Sequence, residues 1–148
     1  MPLSMAVGDL FEFEYPAVGH GCNCSGAMGA GIALEFKRRY PAMFQEYRRR
    51  CRAGRFGLGE IFVWDHEPGL IIYNLATQPI PRPSATLEAI DISIRAAIAD
   101  AERRGVERLG VPRIGAGLGG LVWSDVADVL RRAGDDSALE LVAVSLPT

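Results

Sequence analysis

Lysine is nearly absent from this chain. Lys37 is the only one in 148 residues, and the rest of the 16 basic residues are arginine. A lysine nucleophile or phosphate-binding lysine therefore has one place to sit. Neither of two glycine-rich segments ends in the Gly-Lys-Ser/Thr of a P-loop, which excludes that nucleotide site. Cysteine is scarce and odd in number, at three, and Cys22 and Cys24 are too close to close a useful loop. No disulfide framework is built, and a reduced, cytoplasmic protein is expected. Histidine occurs twice. His20-x-Cys22-x-Cys24 sets three potential ligands at alternate strand positions, but their side chains fan apart along the strand and no fourth ligand is evident, so neither metal nor cofactor is expected. His66, beside turn residues, is expected at the surface. No apolar run approaches the ~20 residues of a membrane span. The N-terminus lacks the basic region and long apolar run of a secretory signal. Net charge is −2, so the whole-molecule field selects no partner.

What is present is an ordinary globular composition, 49% hydrophobic and 23% charged, without repeats or linkers. One domain over residues 1–148 follows, large enough to bury a core without staples. Apolar runs and turn signals alternate. Strands are expected at Met5–Val7, Ala17–Asn23, Ile61–Trp64, Leu70–Ala76, Leu109–Ile114 and Leu139–Ser145, with a turn over Asp65–Gly69. Helices are expected at Ile32–Tyr40, from Pro41 to about Ala53, at Ala85–Arg104 with Ser84 as cap, and from Ser124 or Asp125 to about Gly134. The long helix shows Leu87, Ile90, Ile94, Ile98 and Ala101 at helical spacing and stops at Gly105. This alternation predicts a three-layer α/β domain with a mostly parallel sheet. Eight of the 16 basic residues cluster between Lys37 and Arg55. That cluster reads as a solvated helical face, because it lacks the interleaved aromatic platforms of single-strand binders.

Two glycine-rich segments carry the functional signal. Gly26-Ala27-Met28-Gly29-Ala30-Gly31-Ile32-Ala33 follows the strand ending at Asn23, and Ile114-Gly115-Ala116-Gly117-Leu118-Gly119-Gly120 follows the strand from Leu109. Glycine permits positive φ and close approach of a ligand to the main chain. Unpaired N–H groups at a strand-to-helix junction favour anions. Two such loops at the carboxyl ends of strands in one sheet suit a ligand with a pyrophosphate or two anionic ends. The first loop runs G-x-x-G-x-G, not the G-x-G-x-x-G of a dinucleotide-binding Rossmann fold. The second leaves too little chain for a following βαβ unit.

Gly8-Asp9-Leu10-Phe11, His20-x-Cys22-Asn23 with the first loop, Tyr73-Asn74-Leu75-Ala76-Thr77-Gln78, and Pro112-Arg113-Ile114-Gly115-Ala116-Gly117-Leu118 with Trp123 resemble, in order, the motifs of a macrodomain. The resemblance is nearest to the terminal ADP-ribose protein glycohydrolase branch and shares features with ADP-ribose 1″-phosphate phosphatases and DNA-directed antitoxin macrodomains. It covers nearly the whole chain. It implies a three-layer α/β/α fold with a mixed, mostly parallel sheet of about six strands, and ADP-ribose in a cleft across its top. By that resemblance Asp9 and Leu10 meet the adenine and Asn23 the distal ribose. Gly29, Ala30, Gly31, Ile32 and Ile114, Gly115, Ala116, Gly117, Leu118, Gly119, Gly120 contact the phosphates and distal ribose. Trp123 reads as a packing residue behind the second loop.

In that branch a lysine after the fourth strand forms a covalent adduct, assisted by an aspartate in the second loop. Gln78 and Gly119 stand at those positions here, and Lys37 lies in the wrong helix. A lysyl adduct is therefore not expected. Water attack remains, with Asn23, His20 and Gln78 as the candidate catalytic residues; His20 also reads as a buried core histidine. The expected activity is hydrolysis of ADP-ribosyl esters on acidic side chains or small esters such as O-acetyl-ADP-ribose. A non-catalytic ADP-ribose reader and a hydrolase of nucleic-acid-linked ADP-ribose are the alternatives. ADP-ribosylated protein or nucleic acid is the expected partner of a monomer with no membrane role.

Overall fold

The computed structural model describes residues 2–147. Its sheet has the order β1-β6-β5-β2-β4-β3, with β1 at Ser4–Val7, β2 at Ala17–Asn23, β3 at Ile61–Glu67, β4 at Leu70–Gln78, β5 at Arg108–Val111 and β6 at Glu140–Ser145. Every neighbouring pair is parallel except β3–β4. The mixed, mostly parallel six-stranded sheet between helices is the expected architecture.

Side chains alternate across the pleat into two separate cores. On β4, Tyr73 and Leu75 face one core with Ile90, Ile94 and Leu130, whereas Ile72 and Ala76 face the other with Phe36, Met43 and Tyr47. The first core is covered by α3 (Leu87–Arg103) and α4 (Trp123–Asp135), the second by α1 (Gly31–Arg39) and α2 (Pro41–Arg52). Pro41 separates α1 from α2 because the residue before a proline is held out of the helical region, while proline itself suits a first helical turn.

Several boundaries depart from the expectation. The segment Asp65–Glu67 is strand, not turn: β3 continues to Glu67 opposite β4, and only Pro68 and Gly69 turn the chain. Its polar composition reflects the exposed end of an edge strand. Thr86, not Ser84, caps α3, its side chain accepting from the Ala89 N–H at 3.1 Å. Ser84 Oγ instead donates toward the carbonyls of Ile80 and Arg82. β5 stops at Val111, before Pro112, and α4 starts at Trp123 without a side-chain cap.

Candidate functional site

The first glycine loop is folded by Asn23 at the end of β2. Its Oδ1 accepts from Ser25 N–H at 3.0 Å, Ser25 Oγ at 2.9 Å and the Tyr47 hydroxyl at 2.9 Å, while its Nδ2 donates to Ala27 carbonyl at 2.8 Å. Tyr47, fully buried on α2, also reaches the Asn23 carbonyl at 2.8 Å. The loop then delivers the chain into α1, whose N-cap Ala30 offers no side-chain bond. The N–H groups of Gly31, Ile32 and Ala33 at the start of α1, together with those of Gly29 and Ala30, have no acceptor among the described residues.

The second loop curls through a short 3-10 turn at Gly117–Gly119. The N–H groups of Gly115 and Leu118 have no acceptor among the described residues. The two loops approach closely. A Cβ on Gly31 would lie 3.0 Å from Leu118 Cδ1, and the φ of +60° favours glycine there.

A third wall comes from residues 79–84, a proline-rich strap between β4 and α3. Gln78 Nε2 donates to the carbonyls of Ile80 at 2.9 Å and Arg82 at 3.1 Å. Both amide hydrogens are thereby committed, so Oε1 is left as an acceptor. The strap is tied to the first loop through Cys24 N–H to Pro79 carbonyl and to the second through Ala85 N–H to Gly119 carbonyl.

These walls enclose a cavity of about 530 Å³ lined by Asn23, Gln78 and both glycine loops. A second cavity of about 720 Å³ lies toward Asp9, Leu10 and Phe11. The two meet at Gly31, Ile32, Pro112 and Arg113, forming a continuous bipartite cleft outside the carboxyl ends of the strands. Asp9 Oδ1 accepts from Phe11 N–H at 2.9 Å, so this carboxylate also organises its own turn.

Asp9, Leu10, Asn23, Gln78 and the segments Gly29–Ile32 and Ile114–Ala116 line the cleft, with Leu118 and Gly119. Gly117 and Gly120 do not; their positive φ values shape the loop instead. His20 is also outside it. The His20 ring is fully buried, stacked on Phe36 at 3.9 Å, with Nε2 2.6 Å from Asn74 Oδ1. Burial pushes its pKa down to about 4 against the opposing bond from Asn74, so it is neutral at pH 7 and has no face on the cavity. Cys22 does line it, but burial pushes its thiol pKa well up. Trp123 is half-buried against the first core, as expected of a packing residue. Arg113 was not singled out from the sequence, where nothing marks one arginine among so many.

The model of the Macro domain family matches residues 20–130. The chain belongs to the macrodomain family. Against curated proteins, this macrodomain is 39% identical over 123 residues to the DNA ADP-ribosyl glycohydrolase of Mycobacterium tuberculosis, covering 80% of the chain and 35% of that protein. It is 30% identical over 141 residues to the ADP-ribose 1″-phosphate phosphatase of Candida albicans, covering 84% and 88%. The macrodomain of Mycobacterium tuberculosis DarG superimposes with a TM-score of 0.88 at 34% identity, each chain 99% covered. The chain spans only 35–36% of the length of the DNA ADP-ribosyl glycohydrolases it matches.

Proposed function

We propose that this macrodomain binds ADP-ribose along the bipartite cleft and hydrolyses ADP-ribosyl esters by attack of water, without a lysyl adduct. The observation that carries the reading is the meeting of the two cavities at the uncommitted N–H groups of Gly31 and Ile32, with those of Gly115 and Leu118 on the wall of the first cavity. A pyrophosphate placed there is held by backbone donors and the helix dipole. The adenosine then extends toward Asp9 and Leu10, and the distal ribose toward Asn23 and Gln78. The hydrolase names of the matched relatives support an enzyme over a reader.

In this reading water attacks the anomeric carbon of the distal ribose and the ester carboxylate departs with the bonding pair. Gln78 Oε1, whose orientation the strap fixes, accepts a hydrogen bond from that water. The proton passes to a ligand phosphate oxygen or to solvent, since a neutral amide does not hold it. Asn23 contributes the shape of the first loop and its remaining Nδ2 hydrogen to the ribose. His20 packs β2 against Phe36 of α1 and takes no part in proton transfer. Lys37, with Nζ 4.5 Å from the Phe44 ring centroid, is not among the lining residues.

A second substrate, ADP-ribose on nucleic acid, is favoured by the name of the mycobacterial relative and by Arg48, Arg52 and Arg55. None of these arginines has an ion-pair partner among the described residues, and the Arg48 stem lies against Gly26 of the first loop. The test is a release assay on glutamate-linked protein, O-acetyl-ADP-ribose and DNA-linked substrate side by side, with borohydride present in a parallel set. Release from the esters without a trapped adduct is the expected result. Release from DNA alone moves the assignment to nucleic acid, and tight binding with no release makes the protein a reader.

A further inference from the structure

Arg113 stands where the two cavities join, and lines both. It follows Pro112 at the end of β5, and two other elements hold its guanidinium. Nε donates to Ser145 Oγ, on β6, at 2.9 Å. Cζ lies 5.0 Å from the centroid of Trp123, the first residue of α4. The cleft has one other lining cation, Arg39, and that one is committed: its Nε is 2.9 Å from Glu35 Oε1 and its guanidinium lies 4.3 Å over Phe11. Arg113 has no carboxylate partner among the described residues. Its terminal Nη groups are therefore the uncommitted positive charge of the cleft.

An exposed arginine normally surrenders rotamer freedom when it grips a ligand, which erodes the gain. Here one face rests on an indole and Nε is anchored to a hydroxyl, so the fork is set before any ligand arrives. A planar fork whose Nη1/Nη2 edge is free matches phosphate oxygens geometrically, unlike the point charge of a lysine. The geometry points to Arg113 as the residue that reads the charge of the pyrophosphate, with Trp123 as its positioning residue. This inference rests on the ADP-ribose reading of the cleft and adds a specificity determinant to it. Backbone N–H groups accept any anion of suitable shape, whereas Arg113 selects a doubly charged ligand over the uncharged nucleoside.

Calorimetric titration of ADP-ribose, with adenosine followed by displacement, tests it on the wild type, Arg113→Gln, Arg113→Lys, Trp123→Ala and Trp123→Phe at low and high salt. Arg113→Gln is expected to weaken ADP-ribose by about 10- to 100-fold, the worth of a charge-assisted bond. It should leave adenosine within about twofold and flatten the salt dependence, because the screened interaction is gone. Arg113→Lys keeps the charge and recovers only part of the affinity. Trp123→Phe retains a platform and binds nearly as wild type, whereas Trp123→Ala lowers ADP-ribose affinity; thermal melts verify that both are folded. In a Trp64→Phe background, ADP-ribose should change the fluorescence of Trp123. Wild-type affinity and salt slope in Arg113→Gln would overturn the inference, as would equal losses for adenosine and ADP-ribose. A wild-type protein that binds no ADP-ribose would instead overturn the reading of the cleft, a result separable from the first two.

Discussion

Removing a single oxygen from Tyr47 tests whether the first glycine loop is held from beneath. Tyr47→Phe keeps the buried ring, with its edge-on contact to Phe56 at 5.7 Å between centroids, and deletes only the hydroxyl. That hydroxyl has one proton to share among the Asn23 carbonyl at 2.8 Å, Asn23 Oδ1 at 2.9 Å and the Ala27 carbonyl at 3.3 Å. The loss is therefore one hydrogen bond, a net ~0.5–1.5 kcal/mol, plus a contribution for any acceptor left dry. Asn23 Oδ1 keeps both Ser25 donors, so the dry acceptor is the Asn23 carbonyl alone, and the total is about 1–2 kcal/mol. For a domain near this size about 2–4 °C is lost per kcal/mol, so the melting temperature should fall by about 2–8 °C. Because the loop is the part released, ADP-ribose affinity should fall too, by at most about tenfold for each ~1.4 kcal/mol of ordering the ligand must supply. Differential scanning fluorimetry and calorimetry read the two effects. A melt within about 1 °C of wild type and unchanged affinity would mean that Tyr47 fills space and the loop is ordered without it.

Further outcomes follow from the same geometry. A Cβ on residue 119 would lie 3.5 Å from Gln78 Oε1, so Gln78→Lys with Gly119→Asp rebuilds a lysine–aspartate pair. The double variant should yield a borohydride-trappable adduct that the wild type lacks; its absence would place the distal ribose elsewhere. His20, with its pKa lowered from 6.5 to about 4 by burial, binds its proton more readily in the unfolded chain. Its contribution to stability is thus full above pH 6.5 and lost as pH falls from 6.5 toward 4, by as much as ~3 kcal/mol. Urea midpoints across that window should show a slope that His20→Gln lacks, and identical slopes would refute the assignment. Gly29 has open space at its Cβ position and no positive φ, so Gly29→Ala should melt within about 1 °C of wild type yet bind ADP-ribose more weakly, and unaltered binding would show that the ligand does not approach there. Gly120→Ala should instead cost about 1–3 kcal/mol in a denaturant titration, because φ is +85° and the new Cβ meets Pro83 Cβ at 2.8 Å; a neutral effect would mean the strap yields.

The strands and helices were legible where apolar spacing was clean, as at Ile90, Ile94 and Ile98 on α3. The ends were not. Asp65, His66 and Glu67 have loop composition, but pairing with β4 supplies the backbone bonds that composition does not encode. Ser84 and Thr86 are equally good caps by chemistry, and the strap carbonyls decide by engaging Ser84. Both glycine loops were legible because glycine spacing is local. Arg113 was not, since its platform is ten residues on and its anchor Ser145 lies on a different strand. The burial of His20 was equally hidden: a histidine late in a strand suits a site or a core, and Phe36 and Asn74 choose the core.

The pairing of β1 with β6, Ser4 opposite Val142 through Val7 opposite Ser145, sets a timetable for synthesis. The Asp9 end of the cleft is built from Asp9 at the exit of β1 and from Val144 to Leu146 at the exit of β6, elements more than 130 residues apart in the chain. A ribosome must therefore have released the final strand before that end can exist, and closing so long a loop is among the slower steps of folding. The Asn23 and Gln78 end draws on residues no later than Gly119. The half of the cleft that would meet the scissile bond is thus lined entirely by chain made before the residues that complete the other half, although its strand β5 is buried with Leu130 and Leu141 in the first core and waits for them.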